Sequence, residues 1–346
     1  MMKILIGVCL MFSMCVQASA AEFTPPVVPD VAEEIMPKKT ETFGDALQEL
    51  LQNSVELILP EVRSAKRICA GILFSCMLCS LVSSITEQAK ASVTVAGAIS
   101  IAAMMFENTN AMIRYASETL MDICEYGKLL CPVMTSALAA QGGITTSAVL
   151  YTGTTIFITV LHSLVSRFLV PMLFVFLTFS VGHGAMGEEL LMKIADTIKR
   201  LLSWLLKTLL IVFTTYMSIT GVVSGTTDAA TVKATKVTIS SVVPVVGGIL
   251  SDASESVLAS IGIMKNAAGI YGILAVLAIC MEPFIKIGIQ FLMLKLSAAL
   301  CSIFGNKQIT ALVEDFSTAM GILLAMVATG CMLVLISTVC FLKGIA

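Results

Sequence analysis

From residue 68 onward the chain repeats one pattern, a long apolar run followed by a short polar interruption. A helix needs roughly 20 mainly apolar residues to cross the hydrocarbon of a bilayer. Ile68 to Ile85 and Val93 to Phe106 are the first two runs, the second one short. Ile144 to Val165 and Phe168 to Val181 follow, divided by Arg167 and Pro171. Leu205 to Val223, Ile270 to Leu296 and Met320 to Leu342 complete the clear set, and Val242 to Ile263 reads either way. The pattern predicts an all-α polytopic integral membrane protein with about six to eight transmembrane or re-entrant helices.

Two polar stretches interrupt the series. Asn108 to Leu130, preceded by Glu107, carries Arg114, Glu118, Asp122, Glu125 and Lys128, which predicts an extramembrane or interfacial helix. Glu188 to Arg200 gathers Leu190, Leu191, Ile194 and Ile198 on one face. Glu189–Lys193 and Asp196–Arg200 are favourable i,i+4 pairs on the other side. This helix flows into the span containing Trp204.

The organisation upstream is different. Residues 1–20 read as a signal peptide, with Lys3, an apolar stretch and the small-x-small site Ala18-Ser19-Ala20. Residues 21–41 form a Pro-rich linker containing Pro25, Pro26, Pro29 and Pro37. Residues 42–60 predict an amphipathic helix that Thr42 and Asp45 open and Pro60 ends. Its polar face carries Asp45, Glu49 and Glu56, so it is expected to pack on protein rather than on anionic lipid. Residues 61–346 make up the polytopic membrane domain.

Composition narrows the function. Charged residues are 13% and hydrophobic ones 57%, against about 25% and 45–50% in soluble domains. Too little polar surface is left for a water-soluble enzyme. A net charge of −2 with no basic run excludes nucleic-acid binding as the main task. The 11 Cys fall mainly in apolar runs, as small core residues do. Cys76-x-x-Cys79 has no second CxxC and no His beside it, so it does not read as a zinc or redox site. Cys124 and Cys131, in the more polar stretch, are the one pair to test for a disulfide.

Catalytic residues are scarce. The two His are His162 and His183, and the latter, in a Gly-rich break, reads as a turn residue. No hydrolase, metalloprotease or nucleotide-binding motif occurs. The expectation is a non-enzyme without catalytic, cofactor-binding or metal-ligating residues. Ionisable groups inside apolar runs are more informative, because lipid tolerates them only when they are covered. Glu282 and Lys286 share a helical face, either as a self-neutralising pair or as part of a pore or relay. Lys295 is expected to snorkel. Gly221 to Val257 is rich in Gly, Ser and Thr. It carries Asp228, Lys233 and Lys236, and the breakers Pro244, Gly247 and Gly248. It reads either as a re-entrant, pathway-lining segment or as a loop followed by a broken helix. These eight residues are the candidate pathway or partner contacts.

The block TGVVSGTTDAATVKATKVTISSVVPVVGGILSDASESVLASIGIMKNAAGIYGI, followed by PFIKIGIQFLMLKLSAAL, resembles the stage III sporulation protein AE family of endospore-forming bacteria. The likeness runs from about Phe43 to the C-terminus. It implies a membrane subunit of a channel or secretion-like complex connecting mother cell and forespore, required for endospore development. It also implies a place in the mother-cell membrane around the forespore. The implied partners are other subunits of the complex, including a forespore membrane protein, together with membrane lipid and no nucleic acid. The alternative is a stand-alone secondary transporter using 221–257 as its site.

Overall fold

The computed structural model describes residues 36, 43–55, 58–85, 90–242, 247–304 and 306–343. Side chains are described within these ranges except at 43–44, 84–85, 90 and 221–268. The signal and linker expectations therefore lie outside the described residues, apart from Met36. No strand occurs among the described residues. The elements are α1 (Phe43–Val55), α2 (Ile58–Ile85), α3 (Lys90–Ala140), α4 (Ile144–Leu164), a π-helical turn (Val165–Leu169), α5 (Val170–Met186), α6 (Glu189–Val242), α7 (Gly247–Ile303) and α8 (Lys307–Lys343). Six helical stretches are long and apolar enough to cross a membrane. The protein is a multi-pass, all-helical membrane protein.

Several boundaries differ from the sequence expectation, each for a local reason. Pro60 does not close a helix. It lies in the first turn of α2, where its missing N–H removes a donor that has no intrahelical acceptor anyway. Arg167 and Pro171 do not separate two helices. The chain passes through the π turn at Val165–Leu169 and continues, because one wide turn absorbs the missing proline donor. The polar stretch 108–130 is not a separate element but the middle of α3, a helix of 51 residues. Its polar residues are all compatible with helix, and nothing in it breaks one. Cys124 and Cys131 lie two turns apart on this helix, a rise of ~10 Å that no disulfide spans; both are buried free thiols.

Four helices are much longer than a bilayer is thick. At 51, 57 and 54 residues, α3, α7 and α6 extend ~77, ~86 and ~81 Å, and α8 with 37 residues ~56 Å, against a hydrocarbon layer of ~30 Å. Of these, α3, α7 and α8 run through two tiers. In one tier α2 lies along the C-terminal half of α7, where the Cys69 thiol donates to the Met293 carbonyl (3.4 Å) and the Ser80 hydroxyl to that of Phe304 (3.2 Å). In the other tier α4 packs between α3, α6 and α8, with Thr154 and Ser337 sharing a buried hydrogen bond of 2.5 Å. The two thiols of Cys76-x-x-Cys79 serve different neighbours. Cys76 faces the Cys301 carbonyl on α7, and Cys79 the Val93 carbonyl on α3. On α1, Ala46, Leu50 and Ser54 form the buried face, which packs on α7 and α2.

Between membrane helices no hydrophobic gain is available from leaving lipid, so close packing carries the association. Gly153 of α4 shows how close. A Cβ there would come within 2.1 Å of the Tyr216 ring of α6. Tyr216 cannot retreat easily, since its hydroxyl donates to the Val149 carbonyl (3.3 Å) and its ring packs on Phe157 (5.7 Å). A second glycine is required at the α5–α6 turn, where Gly187 adopts φ 74° and caps α5 on the His183 carbonyl. His183 Nδ1 meets the Glu188 carbonyl at 3.0 Å, so this His belongs to the turn.

Gly153→Ala is expected to destabilise the detergent-solubilised protein by about 1–3 kcal/mol through overpacking. Gly288, with nothing within 4 Å of its would-be Cβ, is the control. Gly288→Ala is expected to be neutral or to stabilise by up to ~1 kcal/mol through helix propensity. Thermal unfolding of the two variants beside the parent checks the contrast, and equal midpoints would refute the close α4–α6 contact.

Candidate functional site

On α7, Glu282, Lys286 and Gln290 occupy successive turns of one face. The Glu282 carboxylate and the Lys286 ammonium form a direct ion pair, with side chains 15% and 26% exposed. The Lys286 ammonium also lies 4.7 Å from the centre of the Tyr115 ring of α3, a cation–π contact. One turn on, the Asn108 amide donates to the buried Gln290 side chain at 3.3 Å. Glu61, in the first turn of α2, acts electrostatically on the same neighbourhood. α2, α3 and α7 thus meet around a polar ladder in an otherwise apolar bundle. It lies near the waist where the two tiers join.

The ladder contains a compensated cation, a carboxylate and two amides. It supplies no nucleophile–base pair. What it can do is fix the register of α3 on α7, because sliding either helix by a turn would part Asn108 from Gln290 and Tyr115 from the Lys286 ammonium, while the Glu282–Lys286 pair stays within α7. Sequence reasoning found Glu282 and Lys286 but missed Tyr115, Asn108 and Gln290. Gln290 was findable as the next i+4 position. The two α3 residues were not, because their segment read as lying outside the membrane. Lys295 is also corrected. It does not merely snorkel but pairs with Glu314 of α8 at 2.5 Å.

The stretch 221–257 is helical wherever its backbone is described. α6 runs on through Gly221 to Val242, and α7 starts at Gly247. Asp228, Lys233 and Lys236 therefore lie on the last turns of α6, and Gly247 and Gly248 open α7. Pro244 and its neighbours 243–246 are outside the described residues, as are the side chains of 221–268. Helix rather than loop runs from Gly221 to Val242, its Gly, Ser and Thr each costing no more than ~1 kcal/mol relative to Ala; the expected break at Pro244 falls on 243–246, outside the described residues.

A second feature emerges on the outer face of α3. Glu107, Arg114, Glu118, Glu125 and Lys128 are all exposed, with Arg114 and Glu118 4.0 Å apart. Leu120 of α3 and Leu161 of α4 both lie against Gly330 of α8. One turn along α4, Phe157 packs edge-on to Phe213 of α6 at 5.1 Å. The charged stretch of α3 is therefore at the height where α6 exposes Ile211 (65%), Val212 and Ile219. One flank of the bundle is suited to lipid, and another flank at the same height is charged.

If Glu282 and Lys286 neutralise each other, each single change to Ala leaves an uncompensated charge and is expected to cost about 3 kcal/mol. The double change is expected to cost less than either single one. Unfolding midpoints of the purified single and double variants measure this, and additive losses would reject the coupling.

Comparisons with known proteins bear on the whole chain. It is similar to the stage III sporulation protein AE of Bacillus subtilis (strain 168), 21% identical over 275 residues. That alignment covers 78% of this chain and 69% of the relative. No solved structure matches it. The stage III sporulation protein AE family matches residues 30–343, which include every described element from α1 to α8, and the chain belongs to that family.

Proposed function

We propose that this protein is a non-enzymatic membrane subunit of a multi-protein channel or secretion-like complex that connects mother cell and forespore during endospore development. The family gives the sporulation role. The observation that carries the finer reading is the charged outer face of α3. A stripe holding Arg114, Glu118, Glu125 and Lys128 at the height of the lipid-compatible face of α6 is costly in hydrocarbon. Protein or water must cover it. In a complex, the covering groups are other membrane subunits, or the aqueous path they enclose. The proposed partners are subunits of that complex, including one from the forespore membrane. The proposed location is the mother-cell membrane around the forespore.

The test is complementation of a deletion in a sporulating host with Arg114, Glu118, Glu125 and Lys128 all changed to Ala. The expected result is normal protein level in the membrane with spore yield no better than in the deletion strain. In parallel, a photocrosslinker at Glu118 is expected to trap another membrane subunit, whereas one at Ile211 traps none. Full spore yield from the variant, together with no trapped protein at Glu118, would sink the reading.

A further inference from the structure

A groove of about 330 Å³ lies between α6, α7 and α8. Its walls include Lys199, Ser203 and Lys207 on three successive turns of α6, Thr318 and Thr329 on α8, and Phe291 on α7. Leu206, Leu210 and Ile322 make the rest of the lining apolar. The α6 side of the groove thus carries both cations and Ser203 beside Leu206 and Leu210, and the facing side is mainly hydrocarbon, the Thr318 and Thr329 hydroxyls donating to the Glu314 and Ala325 carbonyls of their own helix.

The charge is not fully neutralised from within. Glu314 and Asp315 on α8 act electrostatically on Lys199, but Glu314 is already engaged by Lys295. Lys207 forms no ion pair among the described residues. Side chains on a helix lean toward its N-terminus. The Lys207 side chain is therefore carried back along α6 toward Ser203, and the two lysines, two turns and a rise of ~12 Å apart, flank Ser203 on the groove-lining face of α6.

The position along α6 says what kind of anion fits. Up to Arg200 the helix is polar, with Glu189, Lys193, Asp196, Lys199 and Arg200; from Leu201 to Thr220 it is mainly apolar, with Lys207 its one charged residue. The one Trp of the chain, Trp204, stands 59% exposed just inside that boundary, where interfacial Trp is favoured. Lys199 is thus at headgroup level for α6, and the groove extends from there into the apolar region past Leu206 and Leu210. A free anion would use the lysines and leave the apolar wall empty. A neutral lipid would use the wall and leave the lysines unpaired.

We propose that this groove is a binding site for an anionic phospholipid. The phosphate lies between Lys199 and Lys207 with the hydroxyl of Ser203 beside it, and an acyl chain runs along Leu206, Leu210 and Ile322. Basic pockets between membrane helices recognise headgroups in this way.

Trp204 is a built-in reporter. The full chain is reconstituted in phosphatidylcholine vesicles containing a small fraction of brominated phosphatidylglycerol or, separately, the same fraction of brominated phosphatidylcholine. Quenching of Trp204 by the anionic lipid is expected to exceed that by the neutral lipid, corresponding to about tenfold enrichment beside the groove. The double variant Lys199→Gln/Lys207→Gln is expected to lose the preference. Lys207→Arg keeps the charge and is expected to retain it. Arg200→Gln, outside the groove lining, is expected to retain it too. Equal quenching by both lipids in the parent protein overturns the proposal, whether or not the double variant folds. So does an undiminished preference in the double variant, or a loss in Arg200→Gln as large as that in the double variant, which would mean general surface attraction. Abolition of the preference by excess inorganic phosphate at constant ionic strength would make the groove a free-anion site and overturn it as well.

Discussion

Inside a bilayer, and inside a packed helical bundle, no water is available to hydrogen-bond a backbone or to solvate a charge. Helix answers the first need within each segment, and partner side chains answer the second between segments. The long helices α3, α6, α7 and α8 meet the first demand along their length except at Pro132 and Pro283, each of which removes one intrahelical donor. The second demand is met within α7, where Glu282 compensates Lys286, and between α3 and α7, where Tyr115 faces that ammonium and Asn108 satisfies Gln290. Without these contacts α3 and α7 would still be apolar enough to associate, but their register would be set only by packing.

Packing is itself close, and small residues permit it. Gly153 admits the Tyr216 ring, and Gly330 admits Leu120. Hydroxyls and thiols add short polar bonds between helices, as between Thr154 and Ser337, or from Cys69 to the Met293 carbonyl. Each is worth only about 1 kcal/mol, yet each points at one partner. The nine cysteines among the described residues are free thiols, seven of them buried, and Cys69, Cys76 and Cys79 donate weakly to carbonyls of neighbouring helices.

The polar groups left over define the protein's outward relations. The exposed charges of α3 demand a covering of protein or water, which fits a subunit of a larger membrane assembly. The lysines of α6 face a groove whose other wall is apolar, which fits a charged amphiphile. The two features lie on different helices and make different demands, so each stands on its own physical ground.

The sequence by itself determined the class of the fold. Apolar runs of spanning length, scarce charge and the absence of strand-like alternation leave helices in a membrane as the one stable solution, and that is what forms. It also determined the Glu282–Lys286 pair, because i,i+4 spacing is local to one helix and needs no knowledge of neighbours. What only the tertiary structure decided were matters of adjacency. Asn108 and Tyr115 became core partners because α7 lies beside them, although their segment is too polar to read as a span. Pro60 and Pro171 entered helices rather than ending them, because a first turn and a π turn tolerate a missing donor. Lys199 and Lys207 came to share a groove because α8 lies opposite at a distance that leaves room. Local periodicity encodes which face of a helix is apolar; which helix that face meets depends on the packing of all the others.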